Sequence, residues 1–161
     1  MRLGVYERQM KAACQRAKHR QGRPLAAAMA NVLWEIEKPS FLAEQFDIVI
    51  PTPHHWSTRL GRTHVMAETL AGVLAGRLQV PLGSHILAKI RRTPQQTSLT
   101  ASKRRTNLRK AFKVKNPRDV EGCSVLLVDD VLTTGTTANE VSRVLKRAKV
   151  GRVVVAVVAR G

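Results

Sequence analysis

The chain has 161 residues, a length that suits about one domain with a single sizeable core. Its hydrophobic content of 43% excludes a fully disordered protein, and no apolar run approaches the roughly 20 residues of a membrane span. The formal net charge of +17 predicts attraction to polyanions: nucleic acid, membrane surfaces or phosphorylated substrates. A basic, solubilising surface is the simpler explanation of that charge, and an aromatic content of 4% argues against a stacking platform for single strands.

The N-terminus carries no apolar stretch typical of a signal peptide, so a cytoplasmic location and no membrane association are expected. Cys14 and Cys123 are the two cysteines and lie far apart in the sequence. This number and spacing favour neither a disulfide framework nor a cysteine-based zinc site. The identity of any protein-bound metal is therefore left open.

The first 40 residues are predicted to form an N-terminal helical region within a single domain spanning residues 1–161. Residues 3–6 could form a short edge strand. Apolar residues at helical spacing predict helices over residues 7–19 and 25–37. Pro39 is expected to end the second helix, because proline lacks an N–H donor.

Residues 46–50 form the first convincing core strand, and Pro51, Thr52 and Pro53 end it. A helix running to Leu78 and a strand over residues 86–88 follow. Residues 111–114 predict another strand, which could pair back as a hairpin. Since the carboxyl ends of strands carry the ligand loops of α/β folds, the segment from Pro51 to Pro53 is a candidate binding segment.

A polar segment rich in arginine and lysine and free of acids begins at Arg91. Residues 91–115 are predicted to form a flexible basic loop and hairpin. An ordinary surface loop is the simpler interpretation, but loops of this length within compact domains are usually functional. The basic candidates for a functional role are Arg91, Arg92, Lys103, Arg104 and Arg105.

The remaining elements are organised around residues 125–137. An unbroken apolar run predicts a strand buried on both faces, and Asp129 and Asp130 follow where it should end. A loop of threonines around Gly135 leads into a helix with a capping box formed by Thr137 and Glu140. Residues 153–158 predict a last buried strand. The alternation of strands and helices predicts an α/β fold with a mostly parallel, twisted sheet flanked by helices.

This stretch suits a ribose 5-phosphate. The loop and the helix N-terminus supply N–H donors and the positive end of a dipole to a phosphate, and Gly135 permits a sharp turn or close approach of a ligand. Asp129 and Asp130 suit the vicinal hydroxyls of a sugar, much as an acid holds ribose in dinucleotide folds. An ordinary strand-to-helix turn with solvated acids is the alternative.

The same stretch resembles the phosphoribosyl pyrophosphate (PRPP) signature of the type I phosphoribosyltransferases. That resemblance implies that both acids contact the ribose hydroxyls and that the threonine loop surrounds the 5-phosphate. The PRPP-binding residues that we predict are Asp129, Asp130, Val131, Leu132, Thr133, Thr134, Gly135, Thr136, Thr137, Pro51, Thr52 and Pro53.

Other motifs resemble the ComF-like, competence-linked branch of that superfamily, and the similarity covers nearly the whole chain. They include the strand end at Pro51 to Pro53 and the early Lys18 and Gly22. A further set follows the predicted strand over residues 86–88: Thr93, Gln96, Leu99, Arg104, Asn107, Ala111 and Phe112. The zinc ribbon with which typical members begin is absent from this sequence, and whether another chain supplies it is left open. The sequence of residues 62–66 also departs from the family, so the acceptor substrate is not specified.

The resemblance implies an enzyme that binds PRPP with Mg²⁺ and transfers the phosphoribosyl group to a nitrogen acceptor. The candidate catalytic residues are the two acids together with Arg91, Arg92, Lys103, Arg104 and Arg105, the basic residues being candidates for closing over the diphosphate. The alternative is a competence or DNA-uptake protein that binds nucleotide or nucleic acid without turnover. Weak, non-specific nucleic-acid binding and a homodimer are both compatible with the sequence.

Overall fold

A computed structural model describes residues 1–19, 21–53, 66–91, 93 and 108–161. Its strands are β1 (Arg2–Val5), β2 (Ile48–Pro51), β3 (Leu87–Lys89), β4 (Phe112–Val114), β5 (Ser124–Leu132) and β6 (Arg152–Arg160). Its helices are α1 (Arg8–Ala17), α2 (Arg23–Ala43), α3 (Met66–Leu78) and α4 (Thr136–Arg147), with a short 3-10 turn at Pro117–Asp119. None of the helices in the described ranges has the length and apolarity needed to cross a membrane.

Four strands form a parallel sheet in the order β1-β6-β5-β2. The apolar residues of β5 place it inside the sheet, where Val125 to Val128 are fully buried. The predicted edge strand near the N-terminus is confirmed, since β1 pairs only with β6 in this sheet. β2 forms the other edge, with Ile48 in register with Val125.

Helices cover both faces of the sheet, as predicted. On one face, α1, α2 and α3 pack against Leu126 and Val128 of β5. On the other face, α4 and the strands β3 and β4 pack against Val125 and Leu127. Successive residues of a strand point to opposite faces, so the unbroken apolar run of β5 supplies both cores. The α/β fold class is therefore confirmed.

The second helix does not end at the proline. α2 continues through Pro39 to Ala43, because Phe41 is fully buried and its ring stacks on Trp34 with centroids 5.6 Å apart. Pro39 removes one helical hydrogen bond. Burial of a phenylalanine side chain contributes roughly 1.5–3 kcal/mol, enough to offset much of that loss.

The predicted hairpin pairing is present. β3 and β4 run antiparallel, with Ala88 opposite Lys113, and form a separate two-stranded sheet. Residues 94–107, which carry most of the predicted flexible basic loop, lie outside the described residues. The hairpin extends one core, since Phe112 and Val114 pack in the same cluster as the inner residues of α4.

Candidate functional site

The two acids lie inside β5 and not beyond its end. β5 runs to Leu132, and Asp129 and Asp130 are only 7% and 9% exposed. The prediction that the acids follow the end of the buried strand is therefore wrong, and so is the alternative in which they are solvated. The physical reason is the length of β6, which continues to pair with β5 beyond the acids, placing Asp129 opposite Val157 and Leu132 opposite Arg160.

Neighbouring residues of a strand point to opposite faces of the sheet, so the two carboxylates meet different surroundings. The carboxylate of Asp130 forms an ion pair with Lys18, at the end of α1, with 2.6 Å between Nζ and Oδ2. Asp129 lies on the other face and acts electrostatically on Lys89 of β3. Burial lowers the pKa of Lys89, and the Asp129 charge opposes that change.

Each carboxylate also accepts a hydrogen bond from the following backbone N–H group. Asp130 N donates to Asp129 Oδ1 at 2.9 Å, and Val131 N donates to Asp130 Oδ1 at 2.8 Å. Burial raises the pKa of Asp129 well above its ordinary range, and the adjacent Asp130 charge raises it further. The site thus holds two adjacent carboxylates, of which Asp129 lies in surroundings that disfavour its charge.

The loop between β5 and α4 forms a small hollow open to solvent. Gly135 adopts the left-handed conformation with φ +69°, and α4 begins at the next residue. The hydroxyl oxygens of Thr134 and Thr136 lie 2.8 Å apart and share a hydrogen bond. The lining residues are Asp129, Val131, Leu132, Thr133, Thr134, Gly135, Thr136, Thr137 and Ala138. Hydroxyls and helix N–H groups around one hollow make a concavity suited to an anion.

The predicted capping box is wrong. Gly135 occupies the N-cap position without a side-chain cap, and Thr137 is already inside α4. Glu140 pairs with Arg143 at 2.6 Å instead of reaching back to the helix start. With Gly135 as the N-cap, the helix begins two residues earlier than the capping box would start it, and the first N–H groups of α4 have no side-chain cap.

The end of β2 lies beside the acids. Pro51 is in register with Val128, the residue before Asp129, and Thr52 N donates to Val128 O at 2.8 Å. Thr52 is 3% exposed, and its hydroxyl oxygen has no hydrogen-bond partner in the part of the chain that the structure describes. Pro53 follows directly and is half-buried. The structure therefore brings the two segments of the predicted binding site to adjoining strands.

The basic candidates are only partly described. Arg91 is exposed and its Nη2 donates to the carbonyl oxygen of Arg109 at 2.9 Å. Arg92, Lys103, Arg104 and Arg105 lie outside the described residues. Within the described ranges, no group of three or more histidine, cysteine, aspartate or glutamate side chains is placed to hold a metal ion.

Lys18 lies at the acid pair, although in the sequence it stands out only among the family-like motifs and is not among the predicted site residues. Its sequence position contained a signal, because it follows Cys14 by four residues and so continues the buried face of α1. A lysine on the buried face of an amphipathic helix implies a charged partner, since burying an unpaired charge is costly. The partner itself, Asp130, could not be inferred from helical spacing.

A family profile described as "Phosphoribosyl transferase domain" matches residues 65–161, which include β5, the threonine loop and α4. The chain belongs to the phosphoribosyltransferase family. Its relatives place it in the ComF-like branch. It is 33% identical over 115 residues to "Competence protein F" of Haemophilus influenzae, covering 71% of this chain and 50% of that protein.

A second relative of the chain is the "DNA utilization protein YhgH" of Salmonella typhimurium, 29% identical over 130 residues, with 76% of this chain and 55% of that protein covered. The chain thus spans about half the length of the curated relatives it matches. Among solved structures, glutamine PRPP amidotransferase from B. subtilis superposes with a TM-score of 0.59 at 20% identity, covering 89% of this chain and 30% of that one. That similarity supports the fold.

Proposed function

We propose that the protein binds PRPP at the edge of the sheet where β2 and β5 end, and transfers its phosphoribosyl group to a nitrogen nucleophile. The observation that carries the proposal is the hollow that contains both an acid, Asp129, and the donors of the threonine loop. A carboxylate beside an anion site suits a ligand with hydroxyls next to a phosphate. Ribose 5-phosphate is such a ligand.

Each part of PRPP has a candidate partner. The 5-phosphate would lie in the loop from Thr133 to Thr137, at the N-terminus of α4. The ribose hydroxyls would donate to Asp129 and Asp130, as in other folds that hold ribose with an acid. The diphosphate would approach the end of β2, where the unpartnered hydroxyl of Thr52 can donate to it. Arg91, Arg92, Lys103, Arg104 and Arg105 are proposed to neutralise the same diphosphate.

Mg²⁺ is proposed to enter with the diphosphate, because phosphate oxygens are among the ligands that this hard cation prefers. When bound, the ion neutralises charge on the leaving group. Thr52 Oγ1, buried without a protein partner among the described residues, fits a role beside such an anion. The protein's own residues would orient the ribose and exclude water from it.

In the proposed reaction a nitrogen lone pair forms a bond to C1 of the ribose while the bond from C1 to the diphosphate oxygen breaks. The diphosphate leaves with the electron pair, and the nitrogen loses a proton to solvent or base. The ribose passes through an oxocarbenium-like state, as in glycoside hydrolysis. The protein's contribution is electrostatic, since Asp129 and Asp130 place negative charge near the developing cation.

The test is incubation of the protein with PRPP, Mg²⁺ and a panel of nucleobases and amines, followed by assays for released diphosphate and for the N-ribosylated product. The matched control is the Asp129→Asn, Asp130→Asn double variant, whose side chains keep the same shape. We expect product with at least one acceptor and loss of PRPP affinity in the double variant. PRPP that fails to bind the wild type in calorimetric titration would contradict the proposal.

Nucleic-acid binding is the second candidate function, favoured by the names of the relatives and by basic side chains around the hairpin. The exposed basic residues there are Arg109, Lys110, Lys113, Lys115 and Arg118. Binding through phosphate contacts would be indifferent to sequence and would weaken steeply with salt, by roughly 0.9 log units per neutralised phosphate for each log unit of salt. Fluorescence anisotropy with single and double strands tests this. If the protein binds PRPP without turnover and also binds DNA tightly at high salt, nucleic-acid binding becomes a better supported function than phosphoribosyl transfer.

A further inference from the structure

Lys18 and Asp130 connect the N-terminal helix to the proposed ribose site. Lys18 directly follows α1, and its ammonium lies 2.6 Å from Asp130 Oδ2. We propose that Lys18 is a positioning residue, which holds the Asp130 carboxylate in place to accept a ribose hydroxyl. This inference rests on the proposed function and extends it to the residue that follows α1, which would not itself contact the ligand.

Both carboxylates need a restraint of this kind. Oδ1 of each carboxylate already accepts the following backbone N–H, and Oδ2 of Asp130 also faces the Lys18 ammonium, so a ribose hydroxyl would share an Asp130 oxygen with one of these donors. The two groups are adjacent in the chain, so each carboxylate repels the other. The ammonium of Lys18 offsets that repulsion and also fixes the rotation of Asp130, because the ion pair and the backbone hydrogen bond hold its two different oxygens.

The surroundings of the pair suit a permanently charged lysine. Burial lowers the pKa of Lys18, whereas attraction to Asp130 raises it, with smaller contributions from Tyr6 and Asp129. Together the attractions outweigh burial, and the pKa of Lys18 is raised. Cys14, one helical turn earlier, is fully buried, and both its burial and the Asp130 charge raise the pKa of its thiol, which keeps it neutral. On the opposite face of the sheet, the Asp129 charge raises the pKa of Lys89 against the larger effect of burial.

Lys18 acts through Asp130 and not on the phosphate directly. The hollow that suits the 5-phosphate is lined by Asp129 and the threonine loop, and Asp130 is absent from its lining. α1 belongs to the core on one face of the sheet, whereas the inner residues of α4 belong to the core on the other. Lys18 should therefore matter to ligands with ribose hydroxyls and not to a bare phosphate.

The experiment measures dissociation constants for ribose 5-phosphate and inorganic phosphate between pH 5 and 8, with wild type, Lys18→Met, Lys18→Arg and Lys11→Met. Lys11→Met removes the same charge from an exposed position on α1, the helix that Lys18 follows. Since every variant meets the same ligand, titration of the ligand's phosphate cancels from the comparison. Thermal melts establish that each variant is folded at each pH.

We expect Lys18→Met to weaken ribose 5-phosphate about tenfold or more near pH 6 and to move the pH midpoint of binding upward by about one unit, the size of effect that an adjacent opposite charge has on a carboxylate. Lys18→Arg should restore most of the affinity, and Lys11→Met should match the wild type. Inorganic phosphate should bind Lys18→Met and wild type alike.

Two results would overturn the inference while leaving the proposed function intact. One is ribose 5-phosphate binding by Lys18→Met with the affinity and pH profile of the wild type. The other is an equal loss for inorganic phosphate, which would make Lys18 a general cation. Failure of the wild type to bind ribose 5-phosphate at any of these pH values would instead overturn the proposed function, and the inference with it.

Discussion

The backbone N–H of Thr52 donates to the carbonyl oxygen of Val128 across neighbouring parallel strands, at 2.8 Å. This bond places the end of β2 beside the residue that precedes the acid pair. It also buries the Thr52 side chain at the edge of the sheet where the threonine loop begins, with its hydroxyl unpartnered among the described residues. A buried hydroxyl with no partner is costly, and the proposed diphosphate ligand would supply one.

Thr52→Val should leave the folded protein as stable as before, or more stable by about 1 kcal/mol, because it replaces an unpaired hydroxyl with a methyl group of the same shape. The same change should weaken PRPP and inorganic diphosphate severalfold, the value of one hydrogen bond. Ribose 5-phosphate, which lacks the diphosphate, should bind as in wild type. Urea unfolding and calorimetric titration measure both effects, and a large loss of stability would indicate a structural role for the hydroxyl.

Asp129→Asn should stabilise the protein at neutral pH while weakening ribose binding. Burial, and then the Asp130 charge, raise the pKa of Asp129 above its ordinary value of 3.8. A carboxyl whose folded pKa is raised contributes stability that is complete below the unfolded pKa and is lost as pH rises through the folded pKa. Asparagine avoids that loss and can still accept the N–H of Asp130.

The measurement for Asp129→Asn is the melting temperature at pH 4 and pH 7, where 1 kcal/mol corresponds to roughly 2–4 °C in a domain of this size. We expect a rise of a few degrees at pH 7 that shrinks toward pH 4. Asp119→Asn is the matched control, because it removes a carboxylate that is exposed and accepts a hydrogen bond from the Asn116 side chain. A variant that melts lower than wild type at pH 7 would show that attraction to nearby lysines outweighs the cost of burying the Asp129 charge.

Substitution of Gly135 should be costly for its backbone conformation and not for its volume. A Cβ atom there would lie 3.8 Å from Asn139 Nδ2 and 4.0 Å from Leu132 Cδ1, which are ordinary contacts. The φ of +69° is the obstacle, and Gly135→Ala should lower the free energy of unfolding by about 1–2 kcal/mol. Gly135→Asn should lose less, because asparagine tolerates this region.

Gly76→Ala provides the control for Gly135, since Gly76 lies inside α3 with nothing within 4 Å of an added Cβ. Alanine there should stabilise the helix by about 0.5–1 kcal/mol. Chemical denaturation of the three variants gives the ranking. Equal effects of alanine and asparagine at position 135 would contradict a conformational origin.

Phe41→Ala should unfold the end of α2 and lower the free energy of unfolding by about 3–5 kcal/mol, as removal of a buried phenylalanine commonly does. Its ring stacks on Trp34 and anchors the helix beyond Pro39. Leu42→Ala, at the next position, is the control because Leu42 is 62% exposed, and its effect should stay within about 0.5 kcal/mol. Denaturant midpoints and far-ultraviolet circular dichroism separate the two, and similar losses would argue against the anchor.

Local patterns in the sequence predicted most of the elements that build the site. The apolar run from Val125, the glycine of the loop and the helical spacing after it identify a strand, a turn and a helix in the right order, and the structure contains all three. The alternation of such elements also predicted the parallel sheet, since parallel strands need crossover connections. These features depend on residues close together in the chain.

The tertiary structure alone decided how the acids are held. The burial of Asp129 and Asp130 depends on the length of β6, and the charge balance of Asp130 depends on Lys18, which is more than a hundred positions away. The continuation of α2 past Pro39 likewise depends on a packed core around Phe41 and not on helix propensity. Local spacing in the sequence carries no information about such distant contacts. These contacts determine how deeply a carboxylate is buried and which charge it pairs with, and so they set its chemistry.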